Sequence, residues 1–201
     1  MTLPARWVLA TANRGKTAEL STLLRNSGLE LDLVSQTDLG VPPVAETAST
    51  FLENALIKAR HASRVTGLPT IADDSGLAVD ALGGAPGVRS ARYAGPEADD
   101  RANIAKLLGA LLPDEGPHAA RFHCVLVAMR SSEDPAPCIA VGEWRGEIVG
   151  TERGSQGFGY DPIFFDRRLG KTAAELSPAE KNAVSHRGEA LRALVELLKK
   201  R

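Results

Sequence analysis

Apolar and polar positions in this chain fall at two periods, and together they predict alternating strands and helices. Trp7-Val8-Leu9-Ala10-Thr11 is a short apolar run that predicts a buried first strand. Over residues 16–27, Leu20, Leu23, Leu24 and Ser27 recur at helical spacing, with Gly28 as a C-terminal cap. Residues 31–34 predict a second strand. Residues 37–47, with Pro42-Pro43, read as loop. A second helix is predicted over 50–65, burying Phe51, Leu52, Ala55, Leu56 and Ala59. On it Asn54 and Lys58 are four apart and share a face. Pro69-Thr70-Ile71-Ala72 reads as a buried strand that ends at Asp73-Asp74, with a Ser75-Gly76 turn after it. Residues 77–82 lead into the tight Gly83-Gly84-Ala85-Pro86-Gly87 turn. A third helix is predicted over 99–112 with Ile104, Leu107, Leu108 and Leu111 inward. Residues 121–129 and 138–149 predict two long strands joined as a hairpin by the 131–137 loop. Ile163-Phe164-Phe165 is a further buried strand, and the last helix spans 186–200, burying Leu191, Leu194, Val195 and Leu198. The fold class is α/β, and the hairpin makes the sheet mixed rather than purely parallel.

Composition narrows the picture. The 201 residues suit a single domain, 1–201, with room for two lobes. Hydrophobic residues make up 43% and charged residues 24%, the balance of an ordinary soluble globular chain. The net charge of −1 gives no basic excess for a nucleic-acid surface, so basic residues that matter belong in a pocket. No 18-residue apolar run exists, and residues 1–6 lack the apolar core of a signal peptide, so neither a membrane span nor export is expected. Cys124 and Cys138 lack metal-ligand spacing and read as buried reduced thiols, which fits a cytosolic protein.

Four polar clusters can carry chemistry. Thr11-Ala12-Asn13-Arg14-Gly15-Lys16 is a strand-to-helix turn, where backbone N–H groups at a positive helix end suit phosphate. It is not a Walker loop, and an ordinary helix start with an exposed lysine is the competing reading. The acids Glu46, Glu53, Asp73 and Asp74 form the second cluster. Mg²⁺ takes a few carboxylate oxygens and completes its octahedron with water and substrate phosphate. That role falls to Asp74 and Glu46, while Glu53 reads as a solvated helix face. Neighbouring strand residues face opposite ways, so at most one of Asp73 and Asp74 aims into a given site. In the third cluster, Gly157-Phe158-Gly159-Tyr160-Asp161-Pro162, two glycines around an aromatic let backbone approach a flat ligand, or simply turn into a buried strand. In the fourth, Ser177-Pro178-Ala179-Glu180 matches a capping box. Lys181, His186 and Arg187 are not required by that cap and could meet a base or phosphates. His61, His118 and His123 lack such company. No nucleophilic serine elbow is present, so an activated water fits the inventory better.

With these clusters in hand, the chain resembles the inosine/xanthosine triphosphate pyrophosphatase family over nearly its whole length. The carriers are Thr-Ala-Asn-Arg-Gly-Lys at 11–16, Glu-Asn-Ala-Leu-Ile-Lys-Ala-Arg at 53–60 and Ala-Asp-Asp-Ser-Gly-Leu at 72–77. Gly-Gly-Ala-Pro-Gly at 83–87, Gly-Phe-Gly-Tyr-Asp-Pro at 157–162 and Ser-His-Arg-Gly at 185–188 complete the set. The resemblance implies a long, mixed, twisted sheet flanked by helices, with two lobes and a central cleft. It implies a cytoplasmic, homodimeric, Mg²⁺-dependent hydrolase with no nucleic-acid or membrane partner. Its substrates would be non-standard purine nucleoside triphosphates such as ITP, dITP and XTP, cleaved to monophosphate and pyrophosphate, which cleanses the pool of deaminated purines. By the same resemblance Asp74 is the proton acceptor and a metal ligand, with Glu46 helping to hold the metal. Thr11, Ala12, Asn13, Arg14, Gly15, Lys16 and Lys58 would meet phosphates. Ser75, Phe158, Gly159, Tyr160, Asp161, Lys181, His186 and Arg187 would shape the nucleoside site, with a donor from Lys181, His186 or Arg187 reading the 6-oxo group. Two alternatives stay open from the residues alone: a pyrimidine or methylated-nucleotide pyrophosphatase of the same fold, and a nucleotide-binding module without turnover. Extra acids give a mere triphosphate binder little, which argues against the second.

Overall fold

The structure is a computed structural model, and it describes residues 6–11, 13–29, 31–111 and 117–200. In chain order the strands and α-helices are β1 (Arg6–Ala10), α1 (Arg14–Arg25), β2 (Asp32–Ser35), α2 (Phe51–Thr66), β3 (Thr70–Val79), α3 (Asp100–Leu111), β4 (His118–Met129), β5 (Cys138–Ile148), β6 (Phe164–Asp166), β7 (Lys171–Thr172), α4 (Pro178–Val184) and α5 (His186–Lys199). Among the described residues the strands form one sheet in the order β2-β1-β3-β4-β5-β6-β7. β1 runs parallel to β2 and β3, with Val8 opposite both Val34 and Thr70. β6 runs antiparallel to β5 and to β7. The mixed α/β sheet expected from the pattern is therefore what forms.

The chain divides into two compact units, one of residues 1–74, 124–142 and 187–201, the other of 75–123 and 143–186. In the first, strand alternation sorts the core onto two faces. Trp7, Leu9, Ile71 and Leu126 pack with Leu20 and Leu24 of α1 and Leu191, Leu194 and Leu198 of α5. Val8, Ala10, Ala72, Val125 and Val127 face the other way and pack with α2. The buried seam of α2 is Ala55, Ala59 and Ala62, while Phe51, Leu52 and Leu56, expected inward, are only partly buried. Small side chains at helical spacing let α2 lie close against the strands, which pushes its larger apolar groups to the margins. On α5, Leu191, Leu194, Val195 and Leu198 are buried. Each fully buried aliphatic side chain contributes about 1.5–3 kcal/mol. The exposed Lys199–Glu196 pair on the same helix can add only about 0.3–0.5 kcal/mol, so packing holds the helix. Cys124 and Cys138 are buried within this unit, and burial pushes the Cys124 thiol up to about 12.

In the second unit Leu77, Val79, Ile104, Leu107, Leu111, Trp144, Ile163 and Phe164 are buried together. Phe164 packs against Phe122 at 4.5 Å and edge-on to Trp144 at 5.0 Å. The buried Trp144 indole donates to Asp166 Oδ2 at 2.8 Å, so the polar tip of this large apolar group is satisfied.

Caps set several helix ends where the residue types suggest. Thr50 caps α2, Gly67 closes it in the left-handed region, and Ser177 with Glu180 forms the capping box of α4. Two expectations are corrected. Gly28 is not the cap of α1, which ends at Arg25 with Asn26 as the capping residue. More important, β3 does not end at the acid pair. It continues through Ser75 and Gly76 to Val79, because this stretch has tertiary partners that a turn would forfeit: the Leu77 N–H donates to Ser90 Oγ at 2.8 Å. The expected end of the third helix at residue 112 lies outside the described residues.

Candidate active site

Asp73 and Asp74 stand mid-strand in β3, and the pleat sends them to different neighbours. Asp73 is fully buried; Lys16 Nζ lies 3.2 Å from its Oδ2 and Arg187 Nε 4.0 Å. Burial alone would raise its carboxyl, but Lys16, Lys58 and Arg187 outweigh that and hold it at about 2. Asp74 instead receives Lys58 Nζ at 2.8 Å and Asn54 Nδ2 at 3.4 Å. The same Lys58 ammonium lies 3.2 Å from Glu46 Oε1. Burial raises the Asp74 carboxyl above its ordinary value; Lys58 and Lys16 pull the other way, and Glu46 adds to the rise. Lys58 stays cationic: burial would lower it, but Asp73, Asp74 and Glu46 raise it. Two adjacent acids with environments that drive them apart are the pattern of a divided acid–base role.

The shared helix face of Asn54 and Lys58 is thus the face that addresses Asp74. Asn54 also accepts the Ala48 N–H on its Oδ1 at 3.0 Å, which ties the loop carrying Glu46 to α2. This fully buried amide was not among the residues singled out for function, although its spacing to Lys58 was the available signal. Glu53 accepts from Thr50 Oγ1 at 2.7 Å and serves the helix cap, as a solvated face should.

At the start of α1, Asn13 Oδ1 accepts the Lys16 N–H at 3.0 Å, and Thr11 Oγ1 accepts the Asn13 N–H at 3.3 Å. Thr11 is buried and Gly15 half-buried. Ala12 lies outside the described residues, as does the side chain of Arg14. Lys16 is not the exposed lysine of an ordinary helix start. Its side chain is only 15% exposed, because the ionised Asp73 draws the ammonium inward. Arg187 belongs to this cluster too. It is buried, its guanidinium Nη1 donates to Glu19 Oε2, and Asp73 lies behind it. Glu19 gave no signal in the sequence, since its partner is 168 residues away.

The second unit holds a separate cluster. Lys181 Nζ donates to Asp161 Oδ2 at 2.5 Å and sits 4.9 Å from the centre of the Phe158 ring. Asp161 Oδ2 also accepts the Phe158 N–H at 2.9 Å. A Cβ on Gly157 would meet that oxygen at 2.0 Å, and the residue's φ is +78°, so only glycine fits. Phe158, Asp161 and Lys181 are therefore brought together. Tyr160 is buried, and its hydroxyl donates to the Ser90 carbonyl at 2.9 Å. The His186 ring stacks on Phe122 at 4.8 Å. Ser75 is half-buried.

Among the described residues no group of three or more His, Cys, Asp or Glu side chains is arranged to hold a metal. Mg²⁺ keeps water and phosphate oxygens and asks for only one or two protein carboxylates. Glu46 and Asp74, held on one ammonium, supply hard oxygen donors of that kind.

A family model described as the Ham1 family matches residues 7–197. A dITP/XTP pyrophosphatase of Pectobacterium atrosepticum is 60% identical over 194 residues, covering 96% of this chain and 97% of the relative. The dITP/XTP pyrophosphatase of Escherichia coli K12 is 57% identical over 194 residues, with the same coverage of 96% and 97%. Among solved structures, a HAM1 protein from Coxiella burnetii superposes with a TM-score of 0.90 at 52% identity, covering 98% of this chain and 100% of that one. The Staphylococcus aureus Ham1 protein does so with a TM-score of 0.84 at 37% identity, covering 97% and 98%.

Proposed function

Since this chain belongs to the Ham1 family, we propose that it is a nucleoside-triphosphate pyrophosphatase that removes deaminated purines from the nucleotide pool. It hydrolyses ITP, dITP and XTP between the α- and β-phosphates, giving nucleoside monophosphate and pyrophosphate. Relatives named for dITP and XTP, matched over nearly the full chain, support the substrate class. The observation that carries the chemistry is Lys58 spanning Glu46 and Asp74, beside a neighbouring acid of opposite pKa tendency.

The roles follow from the charges. Asp74, raised above an ordinary carboxyl, accepts the proton of the attacking water more readily than Asp73, which stays ionised at about 2. Lys58 keeps the Glu46 and Asp74 carboxylates close together, and Asn54 fixes the orientation of Asp74. The backbone N–H groups opening α1 and the Lys16 ammonium bind phosphate oxygens. Asp73 positions Lys16 for that task. Glu46 and Asp74 would hold Mg²⁺, which when bound screens the triphosphate charge and polarises the phosphoryl oxygens. Phe158 and Lys181 offer a ring face and a donor of the kind a 6-oxopurine takes. The enzyme acts as a homodimer in the cytoplasm, as its family resemblance implies. No helix among the described residues is long and apolar enough to cross a membrane.

Pyrophosphate release from a panel of ITP, dITP, XTP, ATP, GTP and pyrimidine triphosphates, with Mg²⁺ and with EDTA, tests this reading. Turnover of the first three, abolished by EDTA, is the expected result. Turnover confined to pyrimidine nucleotides, or ITP binding without turnover, overturns it.

A further inference from the structure

The loop that carries Phe158 lies between two glycines with left-handed backbones, Gly157 at φ +78° and Gly159 at φ +63°. Such a loop has few conformational restraints of its own. From within, Asp161 holds the Phe158 N–H. From without, the Gly159 N–H donates to Asp100 Oδ2 at 2.7 Å, across 59 residues of chain. Asp100 stands in the first turn of α3. The cap of that helix is provided by its neighbour, because Asp99 Oδ1 accepts the Ala102 N–H at 2.8 Å. Asp100 is therefore available for the loop.

The frame behind Asp100 is firm. Buried Asn103, one turn on, accepts the Ala94 N–H at 2.8 Å and donates to the Ala91 carbonyl at 3.2 Å. The same segment receives the Tyr160 hydroxyl on the Ser90 carbonyl. Gly159 and Tyr160, consecutive in the loop, are thus both tied to the start of α3 and the segment bonded to it. All of these residues lie in the second unit.

We infer that Asp100 is a positioning residue for nucleotide binding: by holding Gly159 it keeps Phe158 beside Lys181, and it acts on affinity without touching the reacting atoms. This rests on the proposed reading in which Phe158 and Lys181 meet the nucleoside. The competing account is a helix-terminal charge, since an acid in a first turn also favours its own helix. The two accounts separate on Asp100→Asn, which removes the charge but keeps an oxygen that can accept from Gly159, and on Asp100→Ala, which removes both.

The test compares the two variants with wild type in ITP turnover, in ITP affinity by calorimetry in EDTA, and in the Gly159 amide resonance. For Asp100→Ala we expect KM and Kd for ITP to rise about three- to tenfold, the loss of one ordinary hydrogen bond, with kcat within about twofold. The Gly159 amide proton should move upfield. Asp100→Asn should restore KM and Kd to within about twofold of wild type. Equal loss in both variants, or a lower melting temperature with KM and Kd unmoved, overturns the inference. Should wild type release no pyrophosphate, the reaction reading fails, and the EDTA affinities with the Gly159 signal still decide whether Asp100 positions the loop.

Discussion

Replacing each acid of the adjacent pair by its amide should give opposite phenotypes. Asp73→Asn should damage the fold, and Asp74→Asn the chemistry. Asp73 is fully buried and its carboxyl is held at about 2 rather than 3.8. A carboxyl lowered that far contributes about 2–3 kcal/mol to stability near neutral pH. The sign follows from the direction: the ionised form is the favoured one in the fold, so the contribution is complete above about pH 4 and is lost as the pH falls toward 2. In a chain of this length 1 kcal/mol moves the melting temperature by about 2–4 °C, so Asp73→Asn should melt about 4–12 °C lower at pH 7. That deficit should shrink as wild type and variant are both taken below pH 4. Asp74 has the reverse linkage. Its carboxyl is raised by burial against the pull of Lys58 and Lys16, so ionised Asp74 adds no net stability above its unfolded pKa, and Asp73 and Glu46 still face Lys58 when an amide replaces it. Asp74→Asn should melt within about 2 °C of wild type or higher, and lose about 10²–10⁴-fold in kcat. Thermal melts from pH 3 to 8 and initial rates on ITP check both. Activity of folded Asp74→Asn within about threefold of wild type, or a wild-type melting temperature for Asp73→Asn, refutes the division of roles.

Three further outcomes follow from particular contacts. Lys16→Ala removes the nearest cation of Asp73, leaving Lys58 and Arg187; KM for ITP should rise and the melting temperature fall by about 2–4 °C, read by steady-state kinetics and calorimetry. Gly157→Ala drives a Cβ into Asp161 Oδ2 and should displace the Lys181–Asp161 pair, raising KM for ITP at least about tenfold while wild-type helicity by circular dichroism is kept. Arg187→Ala leaves Glu19 and Asp73 without their buried guanidinium and should destabilise by about 3–5 kcal/mol in urea unfolding, with Arg187→Lys recovering part of the loss.

The parts of this molecule that could be read from sequence are those set by near neighbours. Ser177 and Glu180, or Thr50 at the start of α2, make their hydrogen bonds within one helical turn, so type and spacing suffice. Asn54 and Lys58 share a face by helical geometry alone, and both do reach Asp74. What failed depended on distant partners. Ser75-Gly76 has the composition of a turn, yet β3 runs through it because residues such as Ser90 satisfy its backbone. Lys16 reads as an exposed helix-start lysine until Asp73, 57 positions on, is seen to bury it. Glu19 and Asp100 gave no local signal, because each is defined by a partner elsewhere in the chain: Arg187 for one, the Gly159 N–H for the other. Motif order named the family, whereas only the folded chain shows which acid each lysine serves.

Attack at the α-phosphorus is the central claim, and the products of a single turnover test it most directly. ITP hydrolysed in ¹⁸O-labelled water with Mg²⁺ should give, by phosphorus NMR, IMP carrying the isotope and unlabelled pyrophosphate as the first products. Orthophosphate with inosine diphosphate, or label in the pyrophosphate rather than in IMP, would contradict the account.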